Sequence, residues 1–305
     1  MPIADVNGIK IAYDRRGPTD RPAILLIMGL GTQMTAWSDP FCDALAAGGY
    51  QVVRFDNRDV GLSSKIEGGR RVNMKWAFTK AMLGLKVRGP YTLEDMAADG
   101  LGLMDKLDQG TAHMVGASMG GMIAQLIAAR YPERTRSLVS IMSSSGDRRL
   151  PQSTPEARNA LFAKRPDPSD REKIIAHMMN VYRVIGSPGY PVPEDVLRPR
   201  LEASIDRSYY PQGIGRQMLA ILGDGSRVER LRTIKVPTLV IHGADDPLVP
   251  VAAGKHTAQN IPGAKLEIVP GMGHDLPPGL VATLSGLILD HCQSVDGPSR
   301  ASSAA

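Results

Sequence analysis

The sequence predicts an α/β protein whose core is a doubly wound, mainly parallel sheet. Short apolar runs of strand length recur along the chain, segments with helical spacing of apolar residues separate them, and one long helical stretch interrupts the alternation. The chain has 305 residues, of which 43% are hydrophobic and 22% are charged. A chain of this length and composition can bury a large core within one α/β domain.

The first half of the chain supplies the alternation in order. We predict strands at residues 9–13, 23–27, 51–55 and 111–115, and helices at about 37–47, 92–107 and 122–130. Thr92 is the predicted N-cap of its helix, and Glu94 and Asp95 lie in the first turn, where acidic side chains favour the helix dipole. Later strands are predicted at 237–243 and 264–269.

The alternation stops after Ile141. The stretch up to about Arg230 is rich in proline and has no strand signal, although residues 171–184 carry apolar side chains at helical spacing. Such an excursion between two sheet strands predicts a helical cap over a site. The expected domains are an α/β domain at 1–144 and 231–292, a helical cap insertion at 145–230 and a flexible tail at 293–305.

A sharp turn at Gly116-Ala117-Ser118-Met119-Gly120 joins a predicted strand to a predicted helix. Glycines two positions either side of a serine let strand and helix approach closely and present the hydroxyl on a strained turn. The N–H of Met119, the first residue of the helix, would face a developing oxyanion. The motif indicates that Ser118 is a nucleophile.

A serine nucleophile needs a histidine base and an acid that orients it. The strand at 237–243 ends at a loop that contains Asp245 and Asp246, and the strand at 264–269 leads to His274. The chain order is therefore serine, aspartate, histidine. At this point either aspartate could supply the acid.

These motifs resemble those of the α/β-hydrolase superfamily, in its serine esterase and lipase arrangement, and the resemblance spans nearly the whole chain. Residues 27–31, 55–63 and 270–274 are most similar to aclacinomycin methylesterases and the general esterases around them. Fold-level motifs of this kind do not determine a substrate.

The resemblance implies roles for several residues. The family spacing of glycine, two residues, aspartate, then three residues and proline selects Asp246 between Gly243 and Pro250, and leaves Asp245 as a turn residue. It implies Leu30 as the second backbone oxyanion donor, with Gly29 or Gly31 as alternatives. It also implies that Asp56 and Arg58 belong to a structural turn.

The remaining histidines are predicted to be structural. His113 and His242 lie in strands and are expected to be satisfied core residues, whereas His177, His256 and His291 lie on helices and are expected at the surface or in packing. No histidine or cysteine grouping has the spacing of metal ligands. We expect no metal and no cofactor.

The charge and the termini suggest no macromolecular partner. The net charge is +5, but the basic residues are dispersed without interleaved aromatic residues, so we expect no nucleic-acid binding. With only two cysteines we expect no disulfide framework, and we also expect no signal peptide and no stable membrane insertion. The expected location is cytoplasmic, the expected partner is a small-molecule ester, and the oligomeric state stays open.

The segment at 70–88 mixes bulky apolar residues with basic ones. One hypothesis makes it a mobile flap that binds acyl chains or touches an interface. The other, which we favour, is a short helix that covers the edge of the pocket and carries solvated lysines.

The predicted function is hydrolysis of carboxylic esters of short to medium acyl chains through an acyl-enzyme on Ser118, with His274 as base and Asp246 as orienting acid. Lactonase, thioesterase, polyketide methylesterase and cofactor-free perhydrolase activities would use the same residues. A ligand receptor that kept the fold is the alternative from another class.

Overall fold

Eight strands form one mainly parallel sheet in the computed structural model, which describes residues 1–67 and 73–297. The strands are β1 (Ile3–Val6), β2 (Ile9–Arg16), β3 (Ala23–Ile27), β4 (Gln51–Phe55), β5 (Ala112–Ala117), β6 (Thr135–Ile141), β7 (Thr238–Gly243) and β8 (Lys265–Val269). Their order across the sheet is β1-β2-β4-β3-β5-β6-β7-β8. Strand β2 runs antiparallel to both of its neighbours, and all other pairs are parallel.

Eleven α-helices are present in the described ranges. They are α1 (Asp39–Ala47), α2 (Met74–Met82), α3 (Leu93–Lys106), α4 (Met119–Arg130), α5 (Pro155–Phe162), α6 (Arg171–Ile185), α7 (Glu194–Arg207), α8 (Pro211–Asp224), α9 (Val228–Leu231), α10 (Val251–Gln259) and α11 (Val281–Asp296). Within the same ranges, none of them combines the length and the apolar character that a membrane crossing requires.

Side chains of the central strands alternate between two apolar layers, as the pleat of a strand dictates. In β3, Leu25 and Ile27 join the layer covered by α3 and α4, whereas Ile24 and Leu26 join the layer covered by α1 and α11. Helices therefore cover both faces, which confirms the predicted doubly wound fold.

Most predicted elements are found within two or three residues of their expected bounds. Helix α3 begins after Thr92 with the reciprocal hydrogen bonds of a capping box to Asp95. Helix α1 begins at Asp39 and not at Trp37, because a short 3-10 turn at Met34–Ala36 precedes it and Trp37 closes that turn. Strand β2 continues to Arg16 because its second half pairs with β4.

Helices α5 to α9 form one insertion between β6 and β7, here called the helical insertion, and it contains no strand. The expected tail differs from the structure at its start. Residues 293–296 are the last turn of α11, because Asp296 accepts hydrogen bonds from Arg136 and contacts the buried His113. Residues 298–305 lie outside the described chain.

Candidate active site

Ser118 lies on a strained turn between β5 and α4. Its φ of 56° and ψ of −120° are rare for a residue with a side chain. A Cβ on Gly116 would overlap the Gly120 carbonyl, and one on Gly120 would overlap the Ile27 carbonyl. Only glycines therefore fit at these two positions, and the Ser118 N–H donates to the Ile141 carbonyl at 2.9 Å. The sharp turn holds the hydroxyl at the carboxyl end of the sheet.

Three of the predicted residues are in hydrogen-bond contact, although they are distant in the chain. His274 Nε2 lies 3.0 Å from Ser118 Oγ, and His274 Nδ1 lies 2.7 Å from Asp246 Oδ2. They follow β5, β7 and β8, and the carboxyl ends of parallel strands meet at one edge of a sheet. Hence parallel pairing brings the three loops together.

Asp246 is the aspartate that contacts His274. Its Oδ1 accepts the N–H groups of Leu248 and Val249 at 2.9 and 2.8 Å, which leaves Oδ2 facing the imidazole. Asp246 is only 5% exposed. Asp245 is exposed and accepts the Gly271 N–H instead, as expected for a turn residue.

The helical insertion holds the loop that carries His274. The His274 N–H donates to the Ile185 carbonyl at 2.7 Å, and the Gly273 N–H donates to Ser187 Oγ at 2.9 Å. The Ser187 hydroxyl donates to Asp275, and burial raises the pKa of that carboxyl above its ordinary value. The backbone carbonyl of Ile185, the last residue of α6, and the side chain of Ser187 thus orient the histidine loop.

The loop after β3 lies directly beside the serine. A Cβ on Gly29 would come within 3.0 Å of Ser118 Cβ. The N–H groups of Leu30 and Met119 have no hydrogen-bond acceptor among the described residues, and neither does that of Gly29. The Gly31 N–H donates to Gln217 Oε1 at 2.8 Å, so it is not available to a substrate.

Gln217 is a site residue that the sequence reasoning missed. It lies on α8, its side chain is fully buried, and its Nε2 donates to the Arg58 carbonyl at 2.8 Å. It therefore joins the loop after β3 to the loop after β4. Nothing in the local sequence marks this glutamine, because its partner Gly31 is 186 positions away.

The loop after β4 makes two further contacts with the helical insertion. Asp56 accepts the N–H groups of Met34 and Leu62 and forms an ion pair with Arg207 of α7 at 2.7 Å. Asp59 forms an ion pair with Arg216 of α8 at 2.8 Å. Both carboxylates are fully buried.

Arg58 belongs to the same loop, and its guanidinium group pairs with Asp99 of α3 at 2.7 Å. Neither Asp56 nor Arg58 is within hydrogen-bond distance of Ser118 or His274. The loop is thus the structural turn expected of it, with the added contacts to the helical insertion.

The other histidines lie in the predicted elements. Both ring nitrogens of His113 have partners, Ser137 and Asp296. His242 is also buried, but it has a neighbour that the sequence reasoning did not foresee: its Nε2 donates to the Val249 carbonyl at 2.7 Å and lies 3.6 Å from Asp246 Oδ2. Burial lowers the pKa of His242 below its ordinary value, which disfavours a positive charge on this ring beside the candidate acid.

The helical histidines differ in exposure. His291 is buried, whereas His177 and His256 are half-buried. In residues 1–67 and 73–297, no three His, Cys, Asp or Glu side chains are grouped as a metal site requires. The arrangement around Ser118 offers acid–base and nucleophilic chemistry from protein groups.

Comparisons with known proteins agree with this fold. Residues 22–277 match the family model described as the alpha/beta hydrolase fold. The rhodomycin D methylesterase of Streptomyces peucetius is 28% identical over 91% of this chain and 92% of its own. A 2-hydroxy-6-oxononadienedioate/2-hydroxy-6-oxononatrienedioate hydrolase of Burkholderia vietnamiensis is 30% identical over 89% of this chain and 87% of its own.

Solved structures show the same fold. The meta-cleavage product hydrolase of Pseudomonas fluorescens superposes with a TM-score of 0.76 at 22% identity, covering 96% of this chain and 98% of that one. The resemblance inferred from the motifs is confirmed.

Proposed function

The chain belongs to the alpha/beta hydrolase family, and from this membership we propose that it is a serine carboxylic ester hydrolase in which Ser118 is the nucleophile. The observation that supports this most directly is the hydrogen-bonded series Ser118, His274 and Asp246, at 3.0 and 2.7 Å. Hydrolase and methylesterase relatives span about nine tenths of the chain, which supports an ester-cleaving activity.

The first half of the reaction forms an acyl-enzyme. Asp246 accepts the Nδ1–H of His274, so Nε2 presents its lone pair to the Ser118 hydroxyl. His274 takes the proton as Oγ bonds to the ester carbonyl carbon. The N–H groups of Met119 and Leu30 stabilise the oxyanion. The bond to the alcohol oxygen then breaks, and His274 returns the proton to the departing alkoxide.

The second half releases the acid. His274 takes a proton from water as the water oxygen bonds to the acyl carbon. The tetrahedral intermediate then expels Ser118 Oγ, and His274 returns the proton to this oxygen. No other co-reactant is needed. We assign residues 145–230 as the cap, because the helical insertion contacts both the histidine loop and the loop after β3.

The substrate class we propose is esters of short to medium acyl chains. A methyl ester of a polyketide is the second candidate, favoured by the relatives named rhodomycin D methylesterase at 27–28% identity. Lactones, thioesters and peroxide-dependent deacylation would use the same residues.

The first experiment is hydrolysis of a p-nitrophenyl ester series of increasing acyl length by the wild type and Ser118→Ala. We expect a loss of roughly 10⁴-fold or more in kcat for Ser118→Ala. Ser226→Ala is the matched control, because Ser226 is an exposed serine of the helical insertion. An unchanged rate in Ser118→Ala would refute the assignment.

Two further measurements separate the alternatives. Methanol release from methyl esters that exceeds the p-nitrophenyl rates would favour the methylesterase candidate. A fluorophosphonate should label Ser118 covalently, and a folded protein that is not labelled would favour a ligand receptor.

A further inference from the structure

Helix α2 and the residues after it present an apolar surface to solvent. The exposed fractions are 53% for Trp76, 64% for Met82, 66% for Leu83 and 52% for Leu85. Phe162 of α5 is 47% exposed and extends this area, because its ring packs edge to face on Phe78 at 5.3 Å. We call Trp76, Met82, Leu83, Leu85 and Phe162 the α2 surface. Contiguous apolar side chains on a protein surface indicate a partner.

The charges within the segment that carries α2 have one sign. Residues 73–90 contain Lys75, Lys80, Lys86 and Arg88 and no aspartate or glutamate. Lys75, Lys86 and Arg88 are exposed and pair with no carboxylate among the described residues. Lys80 lies over the Trp76 ring at 5.6 Å. Most of the α2 surface therefore lies in a segment whose charged side chains are all cationic.

Helix α2 and the residues after it pack on the rest of the protein through their other side. Ala77 and Val87 are buried against Leu219 of α8. Asn73 caps the start of α2 by accepting the Trp76 N–H at 3.2 Å. Because its inner face is already packed, the outer apolar side chains have no place in the core.

We propose that the α2 surface binds an anionic lipid bilayer, with α2 lying in the headgroup region. A tryptophan on a short helix, leucines directly after it, and lysine and arginine in the same segment suit the boundary between headgroups and acyl chains. Each cation near an anionic surface adds about 1 kcal/mol of attraction. A second copy of this chain fits poorly, since a twofold contact would place the same four cations against each other.

Bilayer binding would bring the helical insertion close to lipid. Helix α8, which packs on α2, also carries Gln217 beside Gly31. Esters dissolved in a bilayer would thus meet the protein on the side of its candidate site. This consequence rests on the proposed function, whereas bilayer binding itself does not.

The test is partition of the full chain between buffer and vesicles at low ionic strength. One set of vesicles contains phosphatidylcholine alone, and the other also contains phosphatidylglycerol. We expect binding to the anionic vesicles that falls as salt rises. Trp76 emission should shift to the blue on binding, and the other tryptophan, Trp37, is fully buried and should not respond.

Matched variants separate the charge from the apolar contribution. Lys75→Gln with Lys86→Gln should weaken partition about 25-fold, from about fivefold for each lysine removed. Lys255→Gln, at an exposed lysine of α10, should leave partition unchanged. Leu83→Ser with Leu85→Ser should weaken it about tenfold or more, whereas Val196→Ser, at a 41% exposed valine of α7, should not.

The folding and the activity of each variant are measured separately from its binding to vesicles. Each variant should keep the wild-type thermal unfolding midpoint and its rate on a water-soluble acetate ester. Equal partition to the two kinds of vesicle would overturn the proposal. A lipid-free dimer that shields Trp76 would also overturn it, because the occupant would then be a second copy. A chain without esterase activity that still binds anionic vesicles would refute the proposed function only.

Discussion

Gln217 offers a sharp test of how the helical insertion supports the candidate site. Its amide accepts the Gly31 N–H and donates to the Arg58 carbonyl, each at 2.8 Å, in a fully buried position. We consider the substitution Gln217→Leu, which has a similar volume and can form neither bond. The Gly31 N–H and the Arg58 carbonyl would then both lose their partner.

The expected magnitude follows from these two bonds. Each buried polar group left unsatisfied costs about 1–3 kcal/mol, so keeping the loop in place would cost about 2–6 kcal/mol. A shift of the loop after β3 is the cheaper response, and it moves the neighbouring Leu30 N–H. Since removal of one oxyanion donor costs about 10²–10³ in kcat, we expect about a 100-fold loss in kcat and little change in KM.

The assay measures kcat and KM on p-nitrophenyl acetate together with the thermal unfolding midpoint. Gln212→Leu is the matched control, because Gln212 is an exposed glutamine of the same helix. It should keep wild-type kinetics. A folded Gln217→Leu protein with wild-type kcat would refute the reasoning. A change confined to KM would show that Gln217 affects substrate binding alone.

Three further predictions follow from the site and the core. Asp246→Asn should lower kcat by about 10⁴-fold, whereas Asp245→Asn should stay within about threefold of wild type; equal losses would contradict the assignment of the acid. Gly120→Ala should lower the thermal unfolding midpoint, because its Cβ would overlap a carbonyl of β3. The added Cβ of Gly215→Ala meets no atom within 4 Å, so this variant should keep the wild-type midpoint. Calorimetry measures both midpoints. Burial lowers the pKa of His113 from 6.5 to about 4. Between these two pH values the unfolded chain therefore binds more protons than the folded protein. The free energy of unfolding should fall as the pH drops from about 6.5 to about 4, by up to roughly 3 kcal/mol. Urea unfolding at pH 7 and pH 4.5 should show this loss, and a loss just as large in His113→Gln would contradict the role of His113.

The candidate catalytic residues could be predicted because their signals are local. The glycines around Ser118, the aspartates after β7 and the histidine after β8 each lie within a few residues of a strand end, and parallel pairing then determines where those ends meet. The choice between Asp245 and Asp246 needed the family spacing, since both aspartates follow the same strand.

The supporting contacts could not be predicted, because they join residues far apart in the chain. Gln217, Arg207 and Arg216 lie on amphipathic helices of the helical insertion, where a polar residue is ordinarily assigned to solvent. Only the fold brings them to buried partners in the loops after β3 and β4. The 3.6 Å approach of His242 to Asp246 joins residues only four positions apart, but it depends on how the chain turns after β7, which the local sequence does not determine.

The two ion pairs between the loop after β4 and the helical insertion limit which chimeras of this protein and its relatives can fold. Asp56 and Asp59 are fully buried, and their cations Arg207 and Arg216 lie on separate helices of the helical insertion. A chimera with a crossover point between residues 66 and 207 would inherit the carboxylates from one parent and the guanidinium groups from the other. A buried carboxylate without its cation costs about 3–5 kcal/mol, so viable chimeras must take both halves from parents that share these pairs.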